Sequence, residues 1–271
     1  MEIHGIECIK QSNYSIFYIS SLSEEMKTII RNRLSTICHG AANAVMGRDM
    51  YCYAQTLKEF IQRYNKKTED QKKGMIGELL LHILLLEFIQ EYQIDSPFFN
   101  MEERNVKKGF DVVLNKKGTV DLWLVEVKSG NLAAQKDSSQ TVVSLINNAK
   151  NDLNNRLNDN EKNLSLWFNA INGAKIAMDN ARNEKDALIS ILQDYGDAVV
   201  NKTMKSQNIN VILVGTLFSS LTDKIIENKI LNKYNSVIQE QLFKDVFLVA
   251  IQKETYAAIY DFLESESKLD G

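Results

Sequence analysis

A chain of 271 residues with 44% hydrophobic and 25% charged content is long enough for one large domain or two small ones. Its formal net charge of −3 excludes a uniformly basic nucleic-acid coat but leaves room for a local basic groove. The three cysteines (Cys8, Cys38 and Cys52) form no C-x-x-C pair, which indicates a reduced, cytoplasmic protein without a zinc site or disulfide framework.

No segment of the sequence indicates secretion or a membrane span. The first ten residues, MEIHGIECIK, lack the apolar core of a signal peptide. The longest apolar run, LLLHILLLEF, is too short to cross a bilayer and contains His82 and Glu87. We therefore expect a soluble protein.

The first 66 residues predict a mainly helical region that is a possible partner-binding part of the molecule. A short strand at 14–19 is followed by a helix that Ser21 or Ser23 can cap, and a second helix covers 51–64. The polar stretch NKKTEDQKKG then separates this region from residues 67–271.

The middle of the chain predicts one long helix and three strands. Thr68 is a suitable cap for the helix that contains GELLLHILLLEF. Strands are expected after Pro97 at 98–104, 110–114 and 122–128.

The second half alternates helical and apolar β-branched segments. Helices are expected at 138–157 and 161–193, the latter within a helical insertion at about 157–205. The runs INVILVGTLF and DVFLVAIQ suit parallel strands that are covered on both faces. The predicted class is α/β with a mixed central sheet.

The segment DLWLVEVKSG places two charged residues in an otherwise apolar strand. Side chains alternate along a strand, so Glu126 and Lys128 share a face with Leu124, and Val125 and Val127 lie on the other. The two charges form either a structural salt bridge or part of an active site.

A second acid, Asp111, comes from the preceding strand. If KKGT is a four-residue hairpin loop and Asn115 pairs with Val120, then Asp111 lies opposite Leu124. Asp111 is then a diagonal neighbour of Glu126, roughly 7–8 Å away, which allows two carboxylates to share one cation.

These residues suit a magnesium-dependent phosphodiesterase. We expect Asp111, Glu126 and the main-chain carbonyl of Val127 to bind Mg²⁺, with Mn²⁺ able to substitute and Glu78 supplying a third carboxylate. Lys128 is placed to hold the attacking water and help to deprotonate it, while the metal stabilises charge on the phosphate.

The arrangement GFD, hairpin, EVK, preceded by a helix with GE, resembles the PD-(D/E)xK nuclease superfamily. The order helix, three strands, helix, strand from about residue 70 to 218 is similar to its common core. The resemblance implies that Asp111 and Glu126 are the two acids, Lys128 the lysine and Glu78 the helical glutamate. Phe110 departs from the proline of the family's motif.

More narrowly, residues 74–130 resemble the HamA family, the nuclease subunit of the Hachiman anti-phage defence system. This resemblance implies a bacterial antiviral DNA nuclease that works beside a superfamily 2 helicase. The helical additions to the core are the expected partner-binding and restraining parts, through two apolar faces (Ile29, Ile30 and Leu34; Trp167, Phe168 and Ile171).

Two other functions remain open alongside the nuclease. One is a catalytically silent or regulatory subunit that keeps the nuclease fold, and the other is a restriction-type endonuclease. The presence of Asp111, Glu126 and Lys128 together favours an intact enzyme. At most one of Glu102 and Glu103 can add a ligand, because adjacent strand residues face opposite ways. No P-loop, dinucleotide-binding, zincin or serine-hydrolase motif occurs.

Overall fold

A computed structural model describes residues 3–99, 109–161, 163–179 and 183–269, and in them the chain forms seven strands and nine α-helices. In chain order these are β1 (Ile6–Lys10), β2 (Tyr14–Ile19), α1 (Glu24–His39), α2 (Ala41–Ala44), α3 (Tyr53–Asn65), α4 (Glu69–Glu87), β3 (Tyr92–Ile94), β4 (Val112–Lys116), β5 (Leu122–Asn131), α5 (Ser138–Asn158), α6 (Leu164–Ala177), α7 (Lys185–Val200), β6 (Asn210–Phe218), α8 (Glu227–Gln239), β7 (Asp245–Lys253) and α9 (Ala257–Leu269). Among these residues no helix is long and apolar enough to cross a membrane.

All seven strands belong to one mixed sheet in the order β1-β2-β7-β6-β5-β4-β3. The four central strands, β2, β7, β6 and β5, run parallel, and β1, β4 and β3 are antiparallel to their neighbours. Every residue of β6 is buried, which is the pattern of a parallel strand covered on both faces. The predicted α/β class with a mixed central sheet is confirmed.

Helices cover the sheet in two layers. Helices α1, α3, α4 and α9 pack on the face that receives Trp123 and Val125, whereas α5, α6, α7 and α8 pack on the face that receives Leu122 and Leu124. The side-chain alternation predicted for β5 is therefore confirmed.

The predicted αβββαβ order is present as α4, β3, β4, β5, α5 and β6, but its first strand was misplaced. Strand β3 lies before Pro97 and is only three residues long. The backbone amides of Phe98 and Phe99 instead donate to the carbonyls of Ile37 and Cys38 at the end of α1. These bonds hold the two residues against a helix end rather than in the sheet. The rest of the predicted strand, 100–104, lies outside the described residues.

The predicted β4–β5 register was wrong by two residues. Asn115 pairs with Leu122 rather than Val120, because the turn closes between Lys116 and Thr119 and is followed by two further residues. Gly118, with φ of 71°, supplies the left-handed residue of this turn. A shift by an even number of residues leaves every side chain on its predicted face.

The two predicted helix caps are confirmed. Ser23 caps α1, and Thr68 caps α4 in a capping box with Gln71. The predicted helix at 161–193 is divided into α6 and α7.

The N-terminal region is built into the same sheet and core as the remainder. Strand β2 is buried along its whole length and pairs with β7, near the C-terminal end of the chain. Two apolar faces were expected to meet a partner, but most of their residues pack into the protein's own core. Ile30, Leu34, Trp167 and Ile171 are buried. Phe168 is 56% exposed.

Candidate active site

Asp111 and Glu126 meet at the start of β4, where β5 extends beyond β4 while it remains paired with β6. The observed register, extended by one residue beyond Val112, places Asp111 directly opposite Glu126 rather than diagonal to it. Asp111 Oδ2 accepts a hydrogen bond of 2.6 Å from the backbone amide of Val127. The two acids are therefore neighbours, as the sequence predicted, and closer in register than expected.

Glu126 is the most deeply buried acid of this group, with 3% of its surface exposed. Lys128 Nζ donates to its Oε1 at 2.9 Å, and the Arg156 guanidinium donates to its Oε2. Burial, followed by the charge of Asp111, raises the pKa of Glu126 to about 7, although Arg156 and Lys128 both act to lower it. The positive charges of Arg156 and Lys128 thus offset only part of the cost of burying this carboxylate in its charged form.

Lys128 is shared between two carboxylates. Its Nζ lies 2.9 Å from Glu126 and 2.5 Å from Asp152 Oδ2. Burial alone would lower the pKa of Lys128, but the charge of Glu126 and the hydrogen bonds to Asp152 and Glu126 raise that pKa above its usual value. Lys128 is therefore a protonated donor at neutral pH.

Two site residues on α5 were missed by the sequence analysis. Asp152 contacts Lys128, and Arg156, one turn later, contacts Glu126. An acid and a base four residues apart lie on the same side of a helix. That spacing beside an apolar stripe was the available signal, but it does not say which strand the pair faces.

Glu78 is not brought to the Asp111–Glu126 pair. Helix α4 packs on the opposite face of β5 from α5: a β-carbon at Gly77 would lie 2.0 Å from Ser129 Oγ. Glu78 lies near α1, where its charge adds to the effect of burial in raising the pKa of the Cys38 thiol. Within the described parts of the chain, no three His, Cys, Asp or Glu side chains come together as a metal site. Glu102 and Glu103 lie outside those parts.

The oxygen atoms around Asp111 and Glu126 nevertheless fit a divalent cation such as Mg²⁺. The amide and carbonyl of one strand residue point to the same side, so the carbonyl of Val127 faces the side from which Asp111 approaches. Two carboxylates and one carbonyl suffice for Mg²⁺, which keeps several of its waters. Asp111, Glu126 and Asp152 carry three negative charges against the two positive charges of Lys128 and Arg156, and one cation would reverse this imbalance.

The fold and the site together define an α/β protein in which a central strand presents a buried carboxylate, an opposing carboxylate and a lysine at one point of the sheet. The family model of HamA matches residues 3–264. The chain therefore belongs to the HamA family and is a component of the Hachiman anti-phage defence system. A search of curated proteins finds no match to the chain.

Proposed function

We propose that this protein is a metal-dependent deoxyribonuclease, the effector of its defence system, with the PD-(D/E)xK arrangement as its active site. The observation that carries the proposal is the buried Glu126 carboxylate beside Asp111, whose charge helps to raise its pKa to about 7. Two adjacent carboxylates in such a place are costly when their charges are compensated only in part, and functional sites accept that cost.

Asp111, Glu126 and the carbonyl of Val127 would hold the metal ion. A bound Mg²⁺ would supply neutralisation of the scissile phosphate and a lowered pKa for its water ligand. Lys128, held protonated between Glu126 and Asp152, donates toward the phosphate or the attacking water and thereby orients them. The hydrogen bond from the amide of Val127 would hold the Asp111 carboxylate in place beside the metal ion.

Cleavage of linear and closed circular DNA by the purified protein in Mg²⁺ tests this proposal. Glu126→Gln and Lys128→Met should each reduce cleavage by at least about 100-fold, the usual effect of losing a group that stabilises the transition state. Glu240→Gln is the matched control. Glu240 follows α8 and pairs with Lys150 on α5, away from the site. Wild-type cutting by either site variant would refute the proposal.

We further propose that a helicase partner restrains this nuclease until the complex meets DNA. Membership of a multi-component defence system supports the existence of a partner. The protein co-purified with the product of the neighbouring gene should cut closed circular DNA weakly by itself, and strongly when ATP and DNA with free ends are added. Full cutting of closed circular DNA by the complex with neither addition would exclude this form of control.

A catalytically silent subunit is the second candidate, and the Arg156–Glu126 ion pair favours it. Structural ion pairs also bury carboxylates and shift their pKa values without any catalytic role. The two candidates differ in whether the ion pair opens when a metal ion is offered.

A further inference from the structure

Arg156 is held against the proposed metal site by contacts with β5 and with the segment that leads into β4. It donates to Glu126 on β5 and, through Nη1, to the carbonyl of Gly109 at 3.2 Å, two residues before Asp111. Its guanidinium carbon lies 6.0 Å from the centre of the Phe110 ring. The guanidinium thus bridges the two chain segments that carry the paired acids.

We propose that Arg156 is the internal counter-cation of this site, which a divalent metal must displace from Glu126 before cleavage. This inference rests on the proposed nuclease function and concerns the regulation of the same site. It follows from charge and position: the Arg156 guanidinium and a metal ion would bind the same Glu126 carboxylate and repel each other. Lys128 does not compete in the same way, because Asp152 shares it.

The displaced guanidinium has a second partner available in the reaction. Arg156 Nε is buried and has no acceptor within the part of the chain that the structure describes, so its donors are incompletely used. Arg156 lies in the last turn of α5, and 29% of its side chain is exposed, which leaves space for rotation. A planar guanidinium suits bidentate contact with phosphate oxygens. Arg156 then exchanges the Glu126 carboxylate for the substrate phosphate.

Mn²⁺ binding, followed by the electron paramagnetic resonance of the free ion, measures the competition without any cleavage. Arg156→Gln should bind Mn²⁺ about tenfold more tightly than wild type, a gain of roughly 1.4 kcal/mol. Its cleavage at saturating Mg²⁺ should nevertheless fall, because the phosphate contact is lost. Arg31→Gln is the matched control, since Arg31 forms a comparable ion pair with Glu266 far from the site, and its affinity should equal that of wild type.

An unchanged or weaker affinity of Arg156→Gln would overturn the inference while leaving the nuclease proposal intact. Failure of the wild-type protein to bind Mn²⁺ at all would overturn both. A second measurement requires no loss-of-charge variant: the side-chain Nε signal of Arg156 in the wild-type protein, assigned with Arg156→Lys, should shift as Mg²⁺ is added. A signal that stays in place at saturating Mg²⁺ would contradict displacement.

Discussion

Glu126 lies in an environment very different from that of an ordinary surface acid. Burial and the charge of Asp111 raise its pKa to about 7, whereas an unfolded glutamate titrates near 4.3. The folded protein therefore binds this proton more tightly than the unfolded chain. The resulting stabilisation is complete below about pH 4.3 and is lost as the pH rises through about 7.

The pH dependence of Glu126→Gln should reveal this loss in metal-free buffer. Glutamine resembles the protonated acid and cannot ionise. The melting temperature of the variant, relative to that of wild type, should therefore rise from pH 5 to pH 8. Each unit of pKa shift corresponds to about 1.4 kcal/mol. Calorimetry in EDTA at both pH values measures the difference, with Glu240→Gln as the control for general effects of pH. If the difference in melting temperature between the two proteins were the same at pH 5 and pH 8, the raised pKa of Glu126 would be wrong.

The sequence was sufficient to predict that the strand residues of the proposed site lie together, and insufficient to find those on the helix. The common face of Glu126 and Lys128 follows from alternation alone, which is independent of tertiary packing. Asp152 and Arg156 reach β5 because of the rotation and position at which α5 packs on the sheet. No local pattern encodes that rotation.

Among the elements, α5 is positioned by its close approach to β6. Gly215 lies beside Lys128 in the sheet, and a β-carbon there would lie 2.9 Å from Val142 Cγ2 and 3.0 Å from the carbonyl oxygen of Val142. The missing side chain lets α5 lie low enough for Asp152 and Arg156 to contact β5.

Gly215→Ala should therefore reduce the free energy of unfolding by roughly 1–3 kcal/mol, the usual cost of overpacking a filled core. Gly74→Ala is the control, because Gly74 lies within α4 with nothing within 4 Å of a β-carbon. That change should raise the free energy of unfolding by about 0.5–1 kcal/mol. Urea denaturation measures both values. Effects of the same sign would mean that space at Gly215 does not position α5.

The β4–β5 hairpin shows how far local chemistry determines an element. Its strands and faces were predictable from alternation, but its register depended on how the loop closes. The Asn115 amide donates to the carbonyls of Lys116 and Thr119, and it holds a turn longer than the four-residue loop that the sequence suggested. Strand β3 was missed because three residues are too few to show a period.

In the whole molecule, distant parts of the chain meet in one sheet. The sequence placed a boundary near residue 66, whereas β2 lies between β1 and β7 and is buried on both faces. The helices and strands of the N-terminal region were largely predictable, but the strands with which they pair were not. Strand order depends on long-range pairing that no short segment specifies.

The two tryptophans report separately on the two helical layers. Trp123 is buried in the layer with α4, and Trp167 in the layer with α5. A shared sheet predicts that Trp123→Phe and Trp167→Phe proteins, each with one tryptophan, give coincident fluorescence transitions in urea. Circular dichroism of the same samples supplies the control. Well-separated midpoints would indicate that the layers unfold independently.

The most direct measurement of the proposed active site is anomalous diffraction from crystals soaked in Mn²⁺. A peak should appear between the carboxylates of Asp111 and Glu126, within about 2.0–2.3 Å of their oxygens and of the Val127 carbonyl. The Arg156 guanidinium should have left Glu126 in the same map. The assignment of this site would be contradicted if an active DNA-cleaving protein bound the metal elsewhere and Glu126 remained paired with Arg156.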